Sequence, residues 1–339
     1  MKIFIVGYGR MGQRHHEAVK NVFGSAAFVS VFDPNYKKIS EEKTIQVNSL
    51  EDLKTLTSTQ NPDFAIIAST ASSHTEYIKF FVECNTKYIL CEKPLCISLQ
   101  ECSEIEKMVN AHQHLRVAVN HQMRFMEQYT LVKDLMNTQE FGGLCSISIQ
   151  AGNFGAAMNG TYYLEMFRFL SDEYPHKVWA WLNPQSTVNP RGAQFTDVAG
   201  CIRVESKNGI RMYMDISENQ GHGLLLTYTC KYGQIQIDEL AGKVYLTRRK
   251  NQADFSLPTT RYGMESHTEV LNIKQTCAVT PTEMVIKSLL DNSNYPTVTQ
   301  GNMAVKCLMA AYASSENSHS EMMVDNLPAS YFERVFPWA

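Results

Sequence analysis

At 339 residues, with 44% apolar and 19% charged side chains, the chain is longer than one ordinary hydrophobic core and rich enough in apolar residues to exclude disorder. A net charge of −3, from 34 acids and 31 bases scattered without a basic stripe, excludes a phosphate-backbone partner such as nucleic acid. Nine irregularly spaced cysteines, among them Cys84, Cys91, Cys96 and Cys102, read as reduced thiols, and the apolar N-terminal run is too short for a signal or a membrane span, so a cytoplasmic protein with no membrane partner is expected.

From Met1 to about Asn120, short apolar runs at Lys2 to Val6, Ala27 to Phe32, Phe64 to Ala68, Tyr88 to Cys91 and Arg116 to Val119 predict strands. Helical periodicity separates them at Gln13 to Lys20, His74 to Glu83 and Ser98 to His112. This alternation predicts βαβ units in an N-terminal Rossmann, doubly wound parallel sheet, residues 1–120. A helix is expected at Arg124 to Met136. Beyond it the pattern changes to strands and tight turns. Asn208-Gly209 predicts a type I′ hairpin between Cys201 to Ser206 and Ile210 to Ile216, and turns at Tyr232-Gly233 and Ala241-Gly242 extend the meander. Residues 121–339 therefore read as an α+β domain for substrate binding and oligomerisation, built on a large, open, mainly antiparallel sheet. Two helices, Pro281 to Leu290 and Gly301 to Ser314, are expected to cover one of its faces.

The chemistry-bearing motif comes first. Gly7-Tyr8-Gly9-Arg10-Met11-Gly12 follows a strand and opens a helix, the context in which GxGxxG cradles a pyrophosphate at a helix N-terminus. Asp33 ends the next strand, where a carboxylate can accept hydrogen bonds from a ribose 2′-hydroxyl. NAD(H) is thus expected over NADP(H), although Arg10 is placed to reach a phosphate.

Cys91-Glu92-Lys93-Pro94-Leu95 follows the strand Tyr88 to Cys91. With the glycine turn it resembles the Glu-Lys-Pro signature of the glucose-fructose oxidoreductase, inositol dehydrogenase and rhizopine-catabolism (Gfo/Idh/MocA) family. Ser69-Thr70-Ala71-Ser72-Ser73-His74 resembles the family's cofactor-passing loop, with Thr70 where proline is usual, and Asn120 to Phe125 resembles its interdomain crossing. The resemblance implies that Ser69, Thr70, His74, Glu92 and Lys93 line the cofactor. It further implies that Lys93 is catalytic, that the substrate is a sugar, sugar nucleotide or cyclitol, and that the chain forms a homodimer or homotetramer.

The family's Asp-x-Gly-x-His helix is altered. Aligning Gly160 with its glycine places Met158 at the aspartate and Tyr162 at the histidine. In one reading Tyr162, one helical turn beyond Met158, carries the proton in partnership with Lys93; a one-residue slip would substitute Tyr163. In the other, the site is decayed and the chain is a dinucleotide-binding sensor or regulatory subunit. A third keeps an oxidoreductase but changes the substrate to an imine, aromatic diol or tetrapyrrole. His15, His16, His112, His114 and His121 lack metal-site spacing and read as surface or capping residues, so no metal is expected. Glu165 with Arg168 reads as a structural ion pair, and Asp197 as a strand-end acid.

Overall fold

The computed structural model describes residues 1–36, 39, 44–152, 155–186, 189, 192–217, 219–220, 223–257, 265–274, 277 and 279–338. They divide into two compact units, Met1–Gln122 with Cys277–Val305 and Phe332–Ala339, and Met123–Thr276 with Lys306–Tyr331. Among the described residues, no helix is long and apolar enough to cross a membrane.

The first unit is built on six parallel strands: β1 (Lys2–Val6), β2 (Phe28–Phe32), β3 (Thr44–Val47), β4 (Phe64–Ile67), β5 (Tyr88–Cys91) and β6 (Arg116–Val119). Their order is β3-β2-β1-β4-β5-β6, the doubly wound arrangement whose direction reverses between β1 and β4. Ile3, Ile5, Ile66, Ile89 and Val119 are buried on both-sided strands, as continuous apolar runs require in a parallel sheet. The connecting helices are α1 (Arg10–Phe23), α2 (Leu50–Thr59), α3 (His74–Glu83) and α4 (Leu99–Ala111). Two of them start at serine caps: Ser49 Oγ accepts the Asp52 amide at 3.0 Å, and Ser98 Oγ accepts the Glu101 amide at 3.1 Å. Each satisfies an amide that the first helical turn leaves unpaired.

In the second unit, α5 (Glu127–Met136) and α6 (Thr161–Ser171) accompany nine strands: β7 (Leu144–Gly152), β8 (Pro175–Ser186), β9 (Val198–Ser206), β10 (Arg211–Ser217), β11 (Leu225–Cys230), β12 (Gly233–Asp238), β13 (Lys243–Arg249), β14 (Ser266–Asn272) and β15 (Met322–Met323). Their order is β14-β13-β12-β11-β7-β10-β9-β8-β15. All pairs are antiparallel except β7 with β10. Strict alternation buries Ile147, Ile149, Met212, Met214, Leu226 and Tyr228 on the face that α5 and α6 contact.

Two local expectations are corrected. The β9–β10 hairpin is not a type I′ turn: only Gly209 has positive φ, at 86°, while the Gly209 amide reaches Ser206 O and the Ser206 amide reaches Ile210 O. A type I turn followed by one left-handed glycine twists the strands correctly while leaving Asn208 at negative φ. The final helices do not both cover the mainly antiparallel sheet. The helix α7 (Val279–Asp291) packs on α1, β5 and β6 of the first unit, because Val285, Ile286 and Leu289 form an apolar face that is buried there. The helix α8 (Val298–Glu316) begins in the first unit and ends in the second.

Candidate functional site

Three glycines make the turn before α1, for different reasons. Gly7 has φ 84°, and a Cβ on it would come within 2.7 Å of the Ala68 and Ser69 backbone. A Cβ on Gly12 would stand 2.0 Å from the Gly7 carbonyl oxygen, so this glycine lets the helix close onto the strand end. A Cβ on Gly9 would meet nothing within 4 Å. The protein's own packing does not require glycine there; the space it leaves open lies at the helix start. The N-terminus of α1 also has no acidic residue in its first turn and no side-chain cap, so its amides and positive dipole end are available to an anion. Arg10 is exposed and Met11 half-buried beside this end.

The Asp33 carboxylate is held against the turn, accepting the Tyr8 amide at 2.7 Å and the Asn35 amide at 2.9 Å. Each oxygen has one of these donors and retains a further lone pair for a hydroxyl. On the neighbouring strand end, Ser69 Oγ lies 2.7 Å from Ser73 Oγ, and Ser73 Oγ donates to the Thr70 carbonyl. The buried His74 ring places Nδ1 3.0 Å from Pro94 O and Nε2 3.2 Å from Ser69 O. It therefore ties the loop after β4 to the loop after β5. Burial pushes the His74 imidazole below its ordinary pKa, while the carbonyl contacts and Glu92 oppose that shift.

Glu92 is buried, at 4% exposure. Its Oε1 accepts from His15 Nε2 at 2.8 Å and Asn120 Nδ2 at 2.7 Å, and its Oε2 accepts the Lys93 amide at 3.3 Å. Burial favours the neutral acid, but the His15 hydrogen bond and charge, Lys93 and Asn120 overcome it and lower the carboxyl to about 2. Lys93 itself is buried, and its peptide bond to Pro94 is cis. Five expected residues thus meet in the first unit at two adjacent strand ends: Ser69, Thr70, His74, Glu92 and Lys93.

His15 and Asn120 belong to this network and escaped the sequence reading of site residues. The histidines were expected at the surface or as caps. His112 does cap, its Nδ1 lying 2.8 Å from Met108 O, but His15, His16 and His121 are buried at 0%, 2% and 1% exposure. The buried stripe Gly12, His15, His16, Val19 on α1 has helical spacing and was the available signal. Tyr8 Oη lies 2.7 Å from His16 Nδ1, and burial, aided by Lys20, lowers His16 to about 4. Among the described residues no cluster of three or more metal-ligating side chains occurs.

Met158 and Tyr162 lie in the second unit. Met158 does not sit one regular turn before Tyr162, because Ala156–Gly160 forms a π-helical turn in which the Gly160 amide reaches back five residues to Gly155 O. The buried Asp197 carboxylate, immediately before β9, accepts the Ala157, Met158 and Val198 amides at 2.8, 2.7 and 2.9 Å, so this strand-end acid anchors backbone. Tyr162 is half-buried. Tyr163 is 5% exposed and its phenol is pushed well above its ordinary pKa by burial, next to Glu239, Tyr228 and Tyr129. Glu165 is fully buried against the buried Arg124, with the half-buried Arg168 Nε at 3.4 Å, so the expected pair gains a second arginine.

Residues 1–121 match the model of an oxidoreductase family described as having an NAD-binding Rossmann fold. Glucose-6-phosphate 3-dehydrogenase from Bacillus subtilis is 30% identical over 149 residues, 44% of this chain and 41% of that protein. The chain's matches thus span about two fifths of the curated relatives that lead the comparison. The fold is shared across nearly the whole chain with the transcriptional regulator Gal80p from Kluyveromyces lactis (TM-score 0.76, 15% identity, 96% of this chain and 91% of that one). It is equally shared with an oxidoreductase from Agrobacterium radiobacter solved with NAD+, L-tartaric acid and magnesium (TM-score 0.76, 14% identity, 96% and 98% covered).

Proposed function

We propose, on the premise that this chain belongs through residues 1–121 to the Gfo/Idh/MocA oxidoreductase family, that it transfers hydride between a nicotinamide cofactor and a carbon of a sugar, sugar nucleotide or cyclitol. The observation that carries the reading is Gly9, whose missing side chain leaves space at an uncapped helix N-terminus that suits a pyrophosphate. Gly7, Gly9, Arg10, Met11 and Gly12 would hold the phosphates, Asp33 the ribose, and Ser69, Thr70, His74 and Glu92 would shape the two strand-end loops. When bound, the cofactor supplies or accepts the hydride. Lys93 orients and polarises the reacting oxygen, and Tyr162 moves its proton. The likeness to a sugar-phosphate dehydrogenase supports the substrate class.

Asp33 favours NAD(H), since a 2′-phosphate would meet its charge. Thermal unfolding with NAD, NADH, NADP and NADPH tests this: NAD or NADH should raise the midpoint, and no shift with any of the four would remove the dinucleotide reading. Lys93→Met should lose at least about 100-fold in turnover while the NAD shift survives; full activity would remove Lys93 from the chemistry, and an unchanged rate in Tyr162→Phe would do the same for Tyr162.

The replacement of the family's aspartate and histidine by Met158 and Tyr162, with the likeness to a transcriptional regulator, favours one second reading: a dinucleotide-binding regulator without turnover. NAD binding with no turnover across a panel of ketosugars and polyols would select it. All nine cysteines are free thiols, which supports a reducing, cytoplasmic setting.

A further inference from the structure

We propose that His15 is a positioning residue for Lys93, coupling the helix that carries the phosphate-binding turn to the strand-end lysine through Glu92. The inference rests on the oxidoreductase reading and deepens it. His15 is the sixth residue of α1 (Arg10–Phe23), about 8 Å along the helix from its start. Its ring is 0% exposed. Nε2 meets Glu92 at 2.8 Å, and Nδ1 has no hydrogen-bond partner among the described residues. A leucine or phenylalanine would fill such a place without burying an unpaired nitrogen. The Glu92 contact is therefore what the histidine is there to make.

Glu92 passes the constraint on. One carboxylate oxygen is shared by His15 and Asn120, and the other receives the Lys93 amide. Three segments, α1, the end of β6 and the Lys93 loop, thus converge on one buried anion. The titratable groups around it are His15 from α1, His74 from α3, Lys93 on its own loop and the Cys91 thiol on β5. Without the His15 hydrogen bond, burial acts on Glu92 with less opposition, so its carboxyl rises from about 2.

His15→Leu and His15→Gln, which keeps a donor, separate the roles. For His15→Leu we expect kcat to fall about 10- to 100-fold with the KM for NAD changed by less than about threefold, and a new acid limb in the pH–rate profile as Glu92 protonates. His15→Gln should restore most of kcat and remove that limb. In 15N-lysine spectra the Lys93 amide should move in His15→Leu and return in His15→Gln, a readout independent of turnover. Should His15→Leu not fold, Glu92→Gln tests the same relay at its next link, lowering kcat and moving the Lys93 amide. An unmoved Lys93 amide with wild-type kcat, or equal losses in both His15 variants, would overturn the proposal. A wild-type protein that binds no dinucleotide would instead sink the oxidoreductase reading, leaving the coupling to be decided by the amide.

Discussion

At the residue scale the three turn glycines separate folding from binding, because the space around each differs. Gly12→Ala forces a Cβ to within 2.0 Å of a carbonyl oxygen and should destabilise the chain by about 3 kcal/mol or more, within the range of backbone-strain mutations. Gly9→Ala places its methyl in open space and should leave the unfolding midpoint unchanged while abolishing the shift produced by NAD. Equal destabilisation by both, or an undiminished NAD shift in Gly9→Ala, would show that the second glycine serves packing. The motif itself was legible because glycine spacing, strand and helix coincide in sequence. The roles of His15, Asn120 and Asp197 were not, since each depends on a partner far along the chain: Glu92 is 77 residues from His15, and Asp197 is 40 from Ala157.

At the element scale, most of the parallel sheet follows from apolar runs, and α3 (His74–Glu83) coincides with its sequence pattern. The strand β3 and helix α2 do not stand out, because Thr44–Val47 is a polar edge strand and Leu50–Thr59 buries only Leu53 and Thr57. The C-terminal segment is equally hidden. The Phe336 amide reaches Ile97 O and the Gln100 amide reaches Phe332 O, so an irregular tail pairs with the start of α4. In the turn after β12, Glu239 accepts from Tyr129 and is pushed from 4.5 to about 7 by burial, against the effect of that hydrogen bond. The folded state therefore holds a proton that the unfolded chain releases. This group's contribution to stability is complete below about pH 4.5 and declines as pH rises to about 7. Glu239→Gln, neutral throughout, should match wild type in chemical denaturation near the lower pH and exceed it by roughly 1–3 kcal/mol at pH 8. A constant difference at both pH values would show that Glu239 does not titrate with folding.

At the scale of the molecule, among the described residues the nine-stranded sheet carries helices on one face and exposes large side chains on the other. Strand register places Trp179, Arg203, Tyr213, Ser148, Thr227 and Gln236 in one row across that face, and Trp181, Cys201, Asp215, Gln150, Leu225 and Asp238 in the next. Arg203 lies over Trp179 at 4.3 Å, while Trp181, Tyr213 and Leu225 are 51%, 42% and 41% exposed. Aromatic residues and arginine on a broad surface flanked by polar groups have the composition of a protein interface. The expectation of a homodimer or homotetramer is therefore tested on this face, where a specific interface would need to bury roughly 1,000 Å². Light scattering on the wild type should give a multiple of 38.4 kDa. Tyr213→Glu puts a carboxylate two residues from Asp215 on this face and adds a charge that must be desolvated on association. It should shift the mass to that of one chain with thermal stability retained once protein concentration is taken into account. An oligomer indifferent to Tyr213→Glu would assemble through another surface, and a wild-type monomer would leave the open sheet face as the molecule's own solvent surface.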